Sequence, residues 1–200
     1  MILTIENYRE SAHQAALETM FADRKAQFVD FFDWDVPVVD GRFEIDQFDT
    51  ADAVYIVAID DCGRHEASLR MLPSWQPHLL GEIFPYLCVA GVPVGATTWE
   101  STRLCLPSRH GAAHRRELRS GLISAMADFA LARAIEHITG VIPEGFRREV
   151  LAMGWRAEPL GPTVRIAGGP IGAFRIEVTP DICERLAWSG TYVGALELAA

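Results

Sequence analysis

The stretch Thr97-Thr98-Trp99-Glu100-Ser101-Thr102-Arg103-Leu104-Cys105-Leu106 constrains this chain most, because it reads as a central strand and yet carries an acid, a base and several hydroxyls. Its Thr, Trp and Cys content suits a pleated, half-buried surface, and Gly95 and Pro107 mark its ends. A charge inside a sheet is costly unless it is paired or used. Side chains alternate across a sheet, so Glu100 and Thr102 share one face while Trp99, Ser101 and Arg103 share the other. Either the acid and the base serve opposite faces, or a bulge near Ser101 or Thr102 re-aims one of them. Beyond Pro107 and Gly111, Leu118, Leu122, Met126, Phe129 and Ile138 recur at helical spacing and predict a long helix over residues 114–137.

The remaining pattern supplies the other parts of an α/β (α+β) fold, a mixed central sheet flanked by helices. Residues 1–5 read as a short strand and 11–32 as a helix with Ser11 as its cap. Residues 53–60 and 64–71 form a hairpin across Asp61-Cys62-Gly63. The Pro-rich segment 72–91 is a packed loop with a turn or two of helix around Phe84. Residues 140–142 make a brief strand and 145–153 an amphipathic helix ended by Gly154, with Trp155 turning back to the sheet. A strand over 174–178 and a terminal helix capped by Asp181 complete the chain.

Two hundred residues with 50% hydrophobic and 22% charged side chains suit one globular domain over residues 1–200. No apolar run reaches the roughly 20 residues of a membrane span. The first residues lack a basic flank and a long apolar core, so the expectation is a soluble, cytoplasmic protein. Four scattered cysteines without a CxxC pair suit reduced, mostly buried thiols. His110 and His114 are spaced i, i+4, but without an HExxH context and with Arg115 and Arg116 following they read against a metal site. A net charge of −9 opposes nucleic-acid binding and leaves room for an acidic partner on a local basic patch.

Arg24, Phe28, Phe31, Phe32 and Trp34 crowd together, and Arg42-Phe43-Glu44-Ile45-Asp46-Gln47-Phe48-Asp49 follows, an aromatic and charged loop folded over something or anchored by its own rings. Taken in order, Arg24, Phe28, Trp34, Asp46, Asp49, Arg70, Phe84, Glu100 and Arg103 resemble the signature of the acyl-homoserine-lactone synthases, the bacterial autoinducer synthases. The resemblance runs from about residue 20 to 178, and Trp99-Glu100-Ser101-Thr102-Arg103 is similar to the family's W-E-x-S/T-R strand.

The resemblance implies a GNAT-type acyltransferase fold, with which a long strand feeding a long helix and the Gly154-Trp155 ending independently agree. Residues 104–114 lack the Gly-rich turn that presents backbone N–H groups to the pyrophosphate of coenzyme A, which turns the expected donor toward an acyl carrier protein. The implied reaction moves an acyl group to the amine of S-adenosyl-L-methionine, a substrate rather than a cofactor. Lactonisation follows and releases 5′-methylthioadenosine. Glu100 is the expected base. Arg24, Asp46, Asp49 and Arg103 are expected to close the N-terminal loop over the substrate, or Arg24 or Arg103 to hold its carboxylate. Phe28 and Trp34 would meet its cation or adenine, with Arg70, Phe84 and Thr102 completing the binding set.

The acyl chain is expected along Leu122, Met126, Phe129, Ile142, Leu151, Met153 and Trp155, which are also ordinary core positions. Apolar Ile142 stands where relatives with a 3-oxo preference carry Thr, so an unoxidised chain is favoured. Arg147 and Arg148, with Arg156 and Arg115, Arg116 and Arg119, are the expected carrier-protein patch. Two other readings fit the composition: a general GNAT N-acyltransferase using acyl-coenzyme A, and a noncatalytic acyl- or adenosyl-ligand sensor on the same scaffold.

Overall fold

The computed structural model describes residues 1–194. In chain order its first elements are β1 (Ile2–Ile5), α1 (Gln14–Arg24), β2 (Val38–Val39), β3 (Phe43–Glu44), β4 (Val54–Ile59) and β5 (His65–Pro73). There follow α2 (Leu79–Glu82), β6 (Thr98–Cys105), α3 (Ala112–Ala132), β7 (His137–Pro143) and α4 (Glu144–Leu151). Last come β8 (Arg156–Pro159), β9 (Val164–Ile166), β10 (Gly169–Glu177) and α5 (Ile182–Trp188). The chain forms two compact units, and both β6 and α3 pass from one into the other.

The first unit, within residues 1–71 and 103–125, is built on antiparallel β1, β4 and β5, with β2 and β3 as a separate ribbon. All six β4 residues are buried, as their continuous apolar run requires. The β4–β5 register shifts between Ala58 and Ile59, next to a turn in which the Asp60 carboxylate accepts the N–H groups of Cys62 and Arg64. The helix α1 turns Ala16, Leu17, Met20, Phe21 and Arg24 inward. Phe21, Tyr8 and Tyr55 meet edge-to-face at 5.7 to 6.0 Å between centroids.

The helix expected over 11–32 begins at Gln14, and Ser11 instead accepts the His13 N–H. After Arg24 it widens into π turns over Lys25–Phe31, with the Phe32 N–H bonded to the carbonyl of Gln27 five residues back. Such widening changes the angular spacing of side chains and is common at functional sites.

The second unit, within residues 72–102 and 126–192, carries a mixed sheet. β6 and β7 run parallel over the pairs Thr98–His137, Trp99–Ile138 and Glu100–Thr139, whereas β7 continues antiparallel beside β10 to Pro143. β10 also pairs with β8 and β9, two short strands that the sequence pattern did not reveal. The helix α3 ends at Ala132, so Ile138 belongs to β7 rather than to the helix. Asp181 precedes α5 but caps nothing through its side chain, which binds Thr179 and Arg185. No helix of the described residues is long and apolar enough to cross a membrane. The four cysteines are free; Cys88 and Cys105 are buried, Cys183 is half-buried and Cys62 is exposed.

Candidate active site

In the first unit three arginines and three carboxylates close into a neutral, buried cluster. Arg24 reaches it from the inward face of α1. Its Nη1 and Nη2 fork onto Asp49 at 2.9 Å each, and its Nε donates to Glu44 at 2.6 Å. From β5, Arg70 Nη1 donates to Asp46 at 2.6 Å and to Asp49 at 2.7 Å. Arg103 Nη2 donates to Asp46 at 2.6 Å and to Glu44 at 3.0 Å. The acids are presented by a tight loop in which Asp49 accepts the Asp46 N–H and Asp46 the Phe48 N–H.

Burial alone would raise the Asp49 pKa, but the charges of Arg24 and Arg70 and bonds from Arg24 and Tyr55 hold it far below the carboxylate range. Tyr55 is pushed up, by burial first and by Asp49 second. Burial opposes the Arg24 charge, yet Asp49 and Glu44 more than offset this. Paired bidentate arginines are the solution that makes such a buried set tolerable.

Arg103 adopts φ 52°, a left-handed conformation inside β6. The regular alternation of the strand therefore breaks at Arg103, one or two residues beyond the expected bulge. For a non-glycine residue this strain costs about 1–3 kcal/mol and persists where the surroundings over-determine it. The surroundings here are Glu44, Asp46 and two rings, with the guanidinium 5.5 Å from the centroid of Phe28 and 5.8 Å from that of Trp34. Phe28 and Trp34 stack at 4.8 Å; Phe28 is buried, whereas Trp34 is 38% exposed.

Glu100 belongs to the second unit and is fully buried. Its Oε2 accepts the Leu79 N–H at 2.8 Å and its Oε1 the Leu80 N–H at 2.7 Å, so the carboxylate holds the first turn of α2. The β6–β7 ladder covers Thr98 to Glu100 and leaves Ser101 beyond its end. Thr102 is buried.

Phe84 packs half-buried against an apolar cluster of Leu80, Leu87, Cys88, Ile171 and Ala173. Sequence reasoning missed that cluster, although Leu80, Phe84 and Leu87 recur at helical spacing. It missed Glu44 as well, which alternation in the 42–49 run could have placed inward beside Asp46. Of the expected acyl positions, Leu122, Met126, Phe129, Met153 and Trp155 are buried and Ile142 and Leu151 half-buried. Phe129 meets Trp99 edge-on at 5.6 Å, and Trp155 Nε1 donates to the Val150 carbonyl.

The structure corrects the expected carrier-protein patch at Arg147. Its side chain is buried and bonded to Glu144, to the carbonyls of Gly161 and Ala173 and to Thr163. A Cβ at Gly172 would lie 2.5 Å from the guanidinium, so glycine is needed there for the arginine to fit. Arg148 is exposed and pairs with Glu144, whose pKa is lowered to about 2, first by the Thr163 hydroxyl and then by Arg147. Asp23, His65 and Ser68 are linked as in a hydrolase triad, at 2.6 and 2.9 Å, but Ser68 is 1% exposed on a central strand. With the serine closed to substrate, the link braces α1 on β5.

The second unit is thus a mixed sheet whose parallel pair ends at a buried carboxylate, with a short helix held by that carboxylate. A Lactobacillus plantarum chain assigned to the N-acetyltransferases shares the fold, with a TM-score of 0.57 at 16% identity over 89% of this chain and 99% of that one. The autoinducer synthase family model matches residues 7–185, and the chain belongs to that family, the acyl-homoserine-lactone synthases. The acyl-homoserine-lactone synthase of Ralstonia nicotianae is 33% identical over 83% of this chain and 84% of its own. Among solved structures, MesI, a CoA-dependent acyl-homoserine lactone synthase, superposes with a TM-score of 0.86 at 26% identity, covering 98% of this chain and 97% of its own. TofI, in a ternary complex with an inhibitor and MTA, gives 0.76 at 28% identity, covering 94% and 96%.

Proposed function

We propose that this synthase acylates the α-amine of S-adenosyl-L-methionine from an acyl thioester and then closes the lactone. The amine nitrogen attacks the thioester carbonyl, the thiolate leaves, and the amine proton passes to a base. The methionine carboxylate next attacks its own γ-carbon, the C–S bond breaks, and 5′-methylthioadenosine departs. Positioning supplies much of the rate of this second, intramolecular step, since a sulfonium is already a good leaving group. The observation that carries this reading is the placement on one strand of buried Glu100, three residues before the strained and buried Arg103.

Glu100 is the base, directly or by way of a water. Backbone N–H groups past the end of the β6–β7 ladder would donate to the oxyanion. Arg24, Asp46, Asp49, Arg70 and Arg103 fix the N-terminal loop, whose half-exposed Trp34 offers a ring to the substrate cation or adenine. With Arg24 and Arg103 committed to acids, their role is to shape this site rather than to take the methionine carboxylate. Phe84 and Thr102 complete the binding set, and both substrates are drawn from the cytoplasm.

For the acyl chain we keep Met126, Phe129, Ile142, Leu151, Met153 and Trp155, all of the second unit, as the apolar lining. Ile142 offers no donor, and the Thr139 hydroxyl is turned to the Trp99 carbonyl at 3.4 Å, so neither serves a 3-oxo group. An acyl carrier protein docking near Arg148 is one donor. Acyl-coenzyme A is the second reading, favoured by the loss of Arg147 from the basic patch and by the likeness to CoA-dependent MesI. Incubating the protein with S-adenosylmethionine and matched acyl-carrier-protein and acyl-coenzyme A donors, with mass spectrometry of the products, tests the whole proposal. Acyl-homoserine lactone and methylthioadenosine should form together with at least one donor class; neither product with any donor would end it.

A further inference from the structure

Where β5 meets the start of α3 in the first unit, two imidazoles and a carboxylate converge outside the machinery described above. His110 lies just before α3, His114 in its first turn and Glu66 near the start of β5. One ligand atom from each lies within 4.8 Å of the other two. Glu66 Oε1 is 3.9 Å from His110 Nε2, and Glu66 Oε2 is 3.9 Å from His114 Nε2. These separations are too long for hydrogen bonds. They are only somewhat wider than the spacing between ligands held about 2.0–2.2 Å from a tetrahedral zinc ion.

Two further details point to a ligand. His110 Nε2 is buried and has no hydrogen-bond partner, an arrangement that needs an explanation. His114 Nδ1 meets Glu117 Oε2 at 3.3 Å, which leaves Nε2 facing Glu66. A carboxylate on the far nitrogen fixes ring and tautomer in metal-bound histidines. The charge of Arg109, which acts on His110, is answered within the fold, since its Nη1 donates to Asp23 at 2.6 Å. Arg115 and the N-terminal end of α3 oppose a cation and weaken the affinity without removing a ligand.

We propose that Glu66, His110 and His114 bind one divalent zinc-class ion that clips the first turn of α3 to β5, with Glu117 orienting His114. Two imidazoles and one carboxylate suit zinc, and the three ligands leave a fourth position for water. The site lies on residues given no part in acyl transfer, so this inference stands or falls apart from the proposed reaction.

The test is a titration of chelator-treated full-length protein with Zn²⁺ by calorimetry, and with Co²⁺ by visible absorption. Wild type should take up one equivalent with a rise in Tm, and the Co²⁺ adduct should show d–d bands without a thiolate charge-transfer band. His114→Asn, at a side chain 45% exposed, should keep the fold and abolish that equivalent. Glu117→Gln should weaken binding by about 10- to 100-fold. No stoichiometric uptake would overturn the proposal, as would uptake unchanged in both His114→Asn and Glu66→Gln. A thiolate band would move the metal to a cysteine and overturn it equally.

Discussion

Arg24 and Asp49 face each other as a two-pronged fork, both prongs at 2.9 Å and both side chains almost wholly buried. Asp49 also takes Arg70 and Tyr55, so one carboxylate joins α1, β4 and β5 to the loop that carries it. Asp49→Asn would leave two buried guanidiniums short of their counter-charge. Breaking one partner of a buried pair costs about 3–5 kcal/mol. Chemical denaturation should show a loss of that size, accompanied by a large rise in the KM for S-adenosylmethionine; a change below about 1 kcal/mol would refute the anchoring role.

The same carboxylate sets an acid limit. Its folded-state pKa lies below its unfolded value of about 3.9. The stability it contributes is therefore fully present above about pH 4 and is lost as the pH falls through the folded-state value. Wild type should lose stability below about pH 4, and Asp49→Asn should lose visibly less over that interval. Parallel profiles for the two proteins would contradict the assignment.

Glu100 has both a structural and a proposed chemical duty, and Glu100→Gln separates them. The amide NH2 must face one of the two N–H donors, at a cost of about 1–3 kcal/mol in stability. Loss of a positioned base removes about 10²- to 10⁴-fold in rate. Single-turnover assays should show amide formation slowed by that factor, with S-adenosylmethionine binding nearly intact. Normal turnover in a destabilised variant would make Glu100 solely the holder of α2.

Arg147 separates packing from docking. Arg147→Ala removes the bonds to Glu144, Thr163, Gly161 and Ala173 and should lower Tm by several degrees, a loss on the order of 2 kcal/mol. Arg148→Glu, at an exposed side chain, should leave Tm nearly unchanged while raising the KM for an acyl carrier protein, if such a donor is used. The reverse pattern would restore Arg147 to a docking surface.

The Glu100–Arg103 strand was legible because it packs more polar groups into a strand pattern than a core tolerates unaided. Arg24, Asp46, Asp49 and Arg70 entered as site residues through the resemblance to the synthases rather than through any local pattern, and the structure buries all four in one cluster. Sequence reasoning missed Glu44, whose only signal was its alternation with Asp46 in a short loop strand, and it misjudged Arg147, because an amphipathic helix does not show which arginine turns inward. The turn at Arg103 was half legible. Parity allowed a break in the strand as one of two alternatives, and the left-handed residue at the arginine itself depends on the acids around it. The π turns after Arg24 and the strands β8 and β9 carry no local sequence signal that distinguishes them from a helix end or a loop.

The measurement that bears most directly on the central claim uses S-adenosylmethionine labelled with 15N at the amine and 18O at both carboxylate oxygens. Acylation of that amine followed by attack of the carboxylate on the γ-carbon predicts a lactone that keeps the 15N and both 18O atoms, with one methylthioadenosine per lactone. An acylated product without methylthioadenosine, or a lactone that has lost an 18O to water, would contradict it.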